Sequence, residues 1–501
     1  MKPEILLFHP PNILKPQALN RAIMSPIMCG YGLLHIGAHL MNRGYKVECW
    51  NIPLAYKLGF DNDHLMGILK NYSPLLIGIE LNWLHLSKGA LDLAKFLKSI
   101  YENVPIVVGG VHATIFAEQI IQSNEMIDIV VKGEAEKIME DIVTRIEKNQ
   151  DFKVITGTIS KEDGKINKND GKNIYEDLDV IPPYSPNFLM PKTLNPYNLA
   201  MINTCRGPCN YNCVHCLGAK SKYCLSPRSK IAFHSISWLI KQISILLDHV
   251  DNFSIQDYVY CNPKLLIELA KAIRQEKLQD SFNYFNVALV PSQNISREII
   301  NWLAKSGVDN IDVGIESGSD YVLQKLNRPY DTQVSTLVIK NAVRNGIQPK
   351  TYWMITGLER QKDLDLNKKF LKETIKMGGI PKWITPLCIL PMTQLYERAK
   401  RYGITLKMSR FEDYLIFSTE KYNRTAYYPH CVTHETKLMN VYDILKAVND
   451  LKTFILHQKD LILSKIKENE KFYLSAQNKL NGDQIMQRIL KNLGYIRSNF
   501  F

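Results

Sequence analysis

Two α/β domains in tandem, followed by a helical C-terminal region, are what the 501-residue sequence predicts. Three observations predict it. Strand-length apolar runs alternate with amphipathic helical patterns over residues 1–145, and again from about Leu199 onward. Between them, residues 146–195 are polar, lose periodicity and carry "IPPYSP", the composition of a linker. From about Lys437 the pattern turns helical, basic and amphipathic. The expected class is a doubly wound, Rossmann-like parallel sheet, then a full or partial (β/α) barrel, then helices.

Each element follows in order. "EILLFH" is a strand, and "GYGLLHIGAHLMNRG" is a helix whose Gly44 suits the left-handed turn past a helix end. "YKVECWNI" and "PLLIGIEL" are strands, "SKGALDLAKFLKSIY" a helix and "VPIVVGG" a strand. "MIDIVVKGEAEKIMEDIVTRIEK" reads as strand, turn and helix. In such sheets ligands sit beyond the carboxyl ends of the strands. In the second unit "NFSIQDYVY", "NYFNVALV", "NIDVGIES", "QPKTYWMITG" and "PKWITPLCILP" are strands. Helices such as "SREIINWLAKSG" and "QVSTLVIKNAVRNG" separate them.

Composition narrows the function classes. The chain is 46% hydrophobic and 22% charged, ordinary for a globular protein. No run of eighteen apolar residues suggests a membrane span, and "MKPEILLFHPPN" reads as a first strand rather than a signal peptide. A cytoplasmic location is therefore expected, with reduced cysteines that serve as metal ligands rather than disulfides. The net charge of +13 comes from scattered lysines that form no arm, so a solvated surface is expected rather than a nucleic-acid site.

Four of the ten cysteines crowd into "TCRGPCNYNCVHC". Cys209, Cys213 and Cys216 have the spacing C-x3-C-x2-C, which puts three soft thiolates in one loop. Three such ligands can hold three corners of an iron–sulfur cube and leave one iron open. The alternative is a closed zinc site, with His215 or Cys205 as fourth ligand.

The loop resembles the cluster loop of the radical S-adenosylmethionine (radical SAM) superfamily, where the amino and carboxylate groups of SAM chelate the open iron of a [4Fe-4S] cluster. There the reduced cluster cleaves SAM to a 5′-deoxyadenosyl radical. The resemblance spans roughly 195–405 in consistent order and implies a partial (β/α)6 barrel. Pro208 stands before the first cysteine rather than after it, and His215 replaces the usual aromatic residue. Neither changes the ligand spacing, and Cys205 is read as a non-ligand. "SIQDYVYCNPK" is similar to the second barrel strand, implying that Gln256 and Asp257 face SAM. "VDNIDVGIESGSDYVLQKLNRPY" resembles a stretch of one branch in which Glu316 and Ser317 lie near the SAM ribose and amino group. An ordered carboxylate can accept hydrogen bonds from either. "MITGLE" resembles the strand under the adenine, with Gly357 allowing close approach, and "LCILPMTQLYERAKRYG" resembles the final strand and helix.

The first domain resembles the flavodoxin-like cobalamin (B12)-binding domain fused to many of these enzymes, through "HPPN", "YGLLHIGAHLMNRGY", "IVVGGVHAT" and "VVKGEAE". Gly109 and Gly110 would end a strand at the ligand edge and admit a bulky corrin tail or its phosphate. The axial-histidine motif D-x-H-x-x-G is missing after the first strand. "NDHLMG" imitates it after the second, with His64 read as a surface helix residue. His35 and His39 are read as packing or solvent-contact residues, because no carboxylate or cysteine lies near them in sequence. "ELNWLH" would then lie under the cobalt, with Asn82, Trp83 or Leu84 near the metal.

The resemblance implies a cobalamin-dependent radical SAM enzyme with a [4Fe-4S] cluster, SAM and cobalamin as cofactors. C-methylation of an unactivated carbon is the expected reaction. Radical cyclisation or rearrangement without methyl donation is the alternative within enzymes, and a non-catalytic cobalamin- or SAM-responsive sensor the alternative outside them. The expected division is 1–145 cobalamin-binding domain, 146–195 linker, 196–405 radical SAM barrel and 406–501 helical capping region. An electron donor such as ferredoxin or flavodoxin is implied; the substrate is left open among small molecule, peptide and lipid. In the last region, His430, Cys431 and His434 are read as a substrate-pocket loop rather than a second metal site. Leu438, Val441, Ile444, Leu445, Val448, Leu451 and Ile455 form an apolar helical stripe. It either caps the barrel or lies on anionic lipid.

Overall fold

A computed structural model describes residues 4–16, 29–162, 164–192, 199–222, 224–256, 262–418 and 431–468. The first sheet is built on β1 (Ile5–His9), β2 (Val47–Asn51), β3 (Leu76–Glu80), β4 (Ile106–Gly109) and β5 (Ile129–Val131), all parallel, in the spatial order 2-1-3-4-5. β1 and β3 are fully apolar-buried strands apart from their last residues, His9 and Glu80, as a sheet covered on both faces requires. The chain runs from β1 to β2 on one side and then crosses to β3 on the other. A crevice therefore opens between the carboxyl ends of β1 and β3.

The segment expected as a linker is more than a connection. β6 (Thr158–Glu162) and β7 (Lys165–Asn169) form an antiparallel hairpin on the β5 edge, and β8 (Leu189–Met190) pairs parallel with β2. The physical reason is an edge effect. β7 is a half-exposed, lysine-bearing edge strand, and such strands are polar because they must not template further pairing. A polar edge strand therefore has the composition of a linker. The Asp163–Gly164 pair in "ISKEDGKIN" is the hairpin signal that was passed over.

The second sheet holds β9 (Leu199–Ile202), then, after the short antiparallel pair β10 (Cys205–Arg206) and β11 (Ala232–Phe233), β12 (Asn252–Ile255), β13 (Tyr284–Leu289), β14 (Asn310–Glu316), β15 (Gln348–Ile355) and β16 (Ile380–Pro386). Its six strands are parallel and neighbour each other in chain order, with β9 and β16 at the edges, as an open (β/α)6 barrel demands. The β10–β11 pair closes the stem of the 207–231 excursion, which contains the cysteine loop.

The C-terminal region touches both domains. β17 (Ile404–Leu406) pairs antiparallel with β18 (His434–Thr436). Phe411, Tyr414 and Phe417 join the core on the outer face of the first sheet, beside Phe116. The helix Val441–Leu456, started by an Asn440–Asp443 capping box, packs against β15 and β16. Val441, Ile444, Leu445, Val448, Leu451 and Ile455 are buried, and only Leu438 of the stripe is exposed. Covering these six side chains is worth on the order of 10 kcal/mol before entropy. The stripe is therefore core and is not bare to a lipid surface.

Candidate cofactor sites

The cysteine loop leaves the barrel after β9. Cys209 and Cys213 are buried and Cys216 is partly exposed. The loop is shaped by its own backbone: Cys209 N–H donates to Gly218 O (2.6 Å), Cys216 N–H to Cys213 O (3.2 Å) and Tyr211 N–H to Cys209 Sγ (3.4 Å). Neighbouring segments hold it from outside, with Val214 N–H on Leu326 O and Leu395 N–H on Val214 O. Burial pushes the Cys213 thiol up and the Cys216 thiol up to about 11. Burial disfavours the thiolates of Cys213 and Cys216 unless a cationic centre is bound, and with Cys209 on the same loop the residues fit an iron–sulfur cluster. Among the described residues, no three Cys, His, Asp or Glu side chains converge on the position of a single ion. His215 is partly buried, its ring pushed down to about 3 by desolvation and then by Arg328. Cys205 sits in β10.

Arg328 joins this loop to the end of β14. Its Nη1 donates to Cys213 Sγ (3.4 Å), its Nη2 pairs with Glu316 Oε1 (3.4 Å) and its Nε donates to Tyr330 OH (3.0 Å). Glu316 has φ 62°, a left-handed conformation that a non-glycine residue adopts at a cost, at a register shift in β14. Burial holds its carboxyl up, and Arg328 partly offsets this. Glu316 is thus linked to Cys213 through the Arg328 guanidinium. Gln256 follows β12 and donates to Ser254 Oγ (3.0 Å) and Asp312 Oδ2 (3.1 Å), and Asn286 and Lys382 also reach Asp312.

Other expected residues are elsewhere or outside view. Asp257 and His430 lie outside the described residues. Ser317 is fully buried and donates to Asn367 Oδ1 (2.9 Å), so its hydroxyl serves the turn into the next helix and not the barrel mouth. Gly357 has φ 80°, but a Cβ there would meet Ile444 Cδ1 and Thr436 Cγ2 at 3.0 Å. Its close approach is to the C-terminal region. His434 is buried, with Nε2 against Thr356 O (2.8 Å), and Cys431 lies in the core beside Cys388.

At the first sheet's crevice, His9 Nδ1 bonds Glu80 Oε1, and Asn82 Nδ2 donates to Glu80 Oε2 (2.9 Å). Asn82 Oδ1 accepts from Val111 N–H (3.4 Å). Gly110 has φ 120°, and a Cβ on it would meet Asn82 Oδ1 at 2.5 Å, so its freedom is demanded by the neighbouring loop as well as by any ligand. Gly109, Gly110 and Asn82 come together at this edge. Trp83, next to them, is 54% exposed, an aromatic face that a flat macrocycle could cover. The edge offers a glycine-walled crevice and a bare indole, which fits a large flat ligand with a polar tail. His64 is exposed and bonded to Asp61, as expected.

Residues 27–143 match the B12 binding domain, and residues 207–368 match the Radical SAM superfamily. This chain belongs to the B12-binding-domain radical SAM enzymes. A cobalamin-dependent radical SAM enzyme takes cobalamin, SAM and a [4Fe-4S] cluster as cofactors, and these are the enzyme's cofactors. An uncharacterised methyltransferase of Pyrococcus horikoshii is 27% identical over 366 residues, 71% of this chain and 75% of that protein. The anaerobic magnesium-protoporphyrin IX monomethyl ester cyclase of Synechocystis is 21% identical over 374 residues, 72% and 70% of the two chains. In fold, the enzyme is similar to TsrM of Kitasatospora setae, a radical SAM methyltransferase solved with cobalamin and a [4Fe-4S] cluster (TM-score 0.63, 15% identity, 91% of this chain and 89% of that one). It is also similar to OxsB, a cobalamin-dependent SAM radical enzyme solved with aqua-cobalamin and SAM (TM-score 0.64, 14% identity, 98% and 75%). Among the described residues no helix is long and apolar enough to cross a membrane.

Two histidines expected to pack or to meet solvent are bonded to charged partners instead, and Arg328 is a site residue that the sequence reading did not name. His35 is buried and accepts from Arg206 Nη2 (2.8 Å); His39 bonds Glu140 Oε2 (2.6 Å). The carboxylate partner of His39 comes from a helix 101 residues away, and sequence neighbourhood cannot reveal it. Arg328 carried a legible signal: it stands in "LNRPY", at the end of the stretch that already marked Glu316.

Proposed function

We propose that the enzyme is a C-methyltransferase acting on an unactivated carbon. Cys209, Cys213 and Cys216 are assigned to the cluster, Glu316 and Gln256 to SAM, and Gly109, Gly110, Asn82 and Trp83 to cobalamin. The observation that supports the assignment is Arg328, which touches both Cys213 and Glu316 and so joins the cysteine loop to the end of β14. When bound, the cofactors supply a carbon-centred radical and a methyl group. The chain's part is to bind, orient and exclude water. Cys209, Cys213 and Cys216 would hold the cluster, Glu316 would accept hydrogen bonds from bound SAM, and Arg328, which contacts Cys213 and Glu316, would offset their negative charge. A ferredoxin- or flavodoxin-like donor supplies the electron.

A second reading, ring formation without methyl donation, is favoured by the likeness to the magnesium-protoporphyrin ester cyclases. Anaerobic turnover with methyl-deuterated SAM and candidate peptides, lipids or small molecules separates the two. Product carrying the labelled methyl supports methylation. Product of altered hydrogen count with no label, from a protein that keeps its corrinoid, would replace methylation by cyclisation. The domain division is revised accordingly: the cobalamin-binding unit extends through β8, and the barrel begins at β9.

A further inference from the structure

We propose that Glu134 and Glu136, which belong to the B12-binding domain, are positioning residues for the cysteine loop of the other domain. Both follow β5 in "VVKGEAE": Glu134 lies in the turn, and Glu136 opens the helix Glu136–Glu147. Arg206, in the stem strand β10 just before the loop, grips Glu136 as a fork: Nη1 to Oε2 at 2.8 Å and Nη2 to Oε1 at 2.6 Å. The same guanidinium reaches Glu134 Oε2 at 3.3 Å. On the far side of the loop, Arg228 forks onto Glu134 through Nε (2.5 Å) and Nη2 (2.7 Å), and also bonds Tyr175 O and Glu176 O. One turn of the first domain thus holds the segment that enters the cysteine loop and the segment that leaves it.

The clasp is balanced and dry. Two guanidinium groups face two carboxylates, and Arg228 and Glu136 are almost fully buried. Burial opposes ionisation of Glu136, yet Arg206 overrides it and pulls the carboxyl down to about 2. Planar forks are directional as well as attractive, so they fix orientation in a way that a point charge does not. The turn itself is anchored within its own domain: Gly133 N–H donates to Thr114 Oγ1 (2.9 Å), whose hydroxyl donates to Gly110 O (2.8 Å). Gly133 has φ 81° and lies against Pro227, where a Cβ would come within 3.0 Å of the ring. A path of hydrogen bonds, joined by the backbone of Gly133–Glu136, therefore runs from Gly110, at the proposed cobalamin edge, to both ends of the proposed cluster loop. Its consequence is a fixed spacing between the two centres, set by one turn.

The proposal rests on the assignment of Cys209, Cys213 and Cys216 to the cluster, but its first readout does not. Glu136→Gln in the full chain, loaded with cluster and cobalamin, is compared with wild type by amide hydrogen exchange and corrinoid content. Exchange across 204–216 and 226–234 should rise roughly tenfold or more, while β1, β3 and β4 and the bound corrinoid stay unchanged. The spectral change that SAM produces in the cluster's electron paramagnetic resonance should weaken. Arg206→Lys keeps the charge, loses the fork and should give a smaller rise; it also serves if Glu136→Gln fails to fold. Loss of corrinoid with faster exchange in β1, β3 and β4, and wild-type exchange at 204–216, would make Glu136 a prop of its own domain and overturn the proposal. If instead the cluster assignment is what is wrong, the exchange response persists while Cys213→Ala retains its iron.

Discussion

At the scale of single residues, the account rests on which cysteines hold iron. Cys209→Ala, Cys213→Ala and Cys216→Ala should each abolish the visible absorbance of the reconstituted cluster. Cys205→Ala and Cys224→Ala should keep it largely intact, although Cys224 is half-buried and close enough to Cys209 to feel its charge. Iron loss in the Cys224 variant equal to that in the Cys213 variant would make the cluster four-ligand and closed. Arg328 makes a subtler prediction. A cation donating to a cluster thiolate favours the more negative, reduced state, so Arg328→Gln should lower the midpoint potential, read by redox titration without turnover. The cysteines were legible because their chemistry is local, three ligands within one loop. Ser317 and Gly357 were not, because Asn367 and the Thr436–Ile444 segment, which decide their surroundings, arrive from elsewhere in the chain.

At the scale of elements, strand and helix positions were legible wherever a buried face imposes a period, as in β1, β3, β14 and the helix Val441–Leu456. The β6–β7 hairpin and β8 were missed because edge strands are polar and two-residue strands have no period to read. The C-terminal helix is predicted to stabilise the barrel rather than to bind lipid. Ile444→Ala should lower stability by ~3 kcal/mol, measured by chemical denaturation, since the side chain is fully buried over Gly357. A change below ~0.5 kcal/mol would mean that the helix does not cap the barrel.

At the scale of the whole molecule, buried histidines give the stability a pH sign. Burial lowers the His112 ring to about 3 and the His234 ring to about 4, and His35 lies well below its usual value through burial and then Arg206. These folded values are depressed, so below the free value of ~6.5 the unfolded chain binds protons that the folded chain refuses. Their stability is fully present above pH ~6.5 and is lost as pH falls toward 4. Between those limits the melting midpoint should drop by about 4 °C or more; a flat profile would mean that these rings take up protons in the folded state. The central claim is that one chain holds a three-cysteine cluster that turns over SAM next to a cobalamin domain. The most direct measurement is 5′-deoxyadenosine release by the anaerobically reconstituted, cobalamin-loaded chain. Wild type should form it and Cys213→Ala should form none, both with about one corrinoid per chain. SAM bound tightly but never cleaved by wild type, or cleavage that survives in Cys213→Ala, would contradict the account.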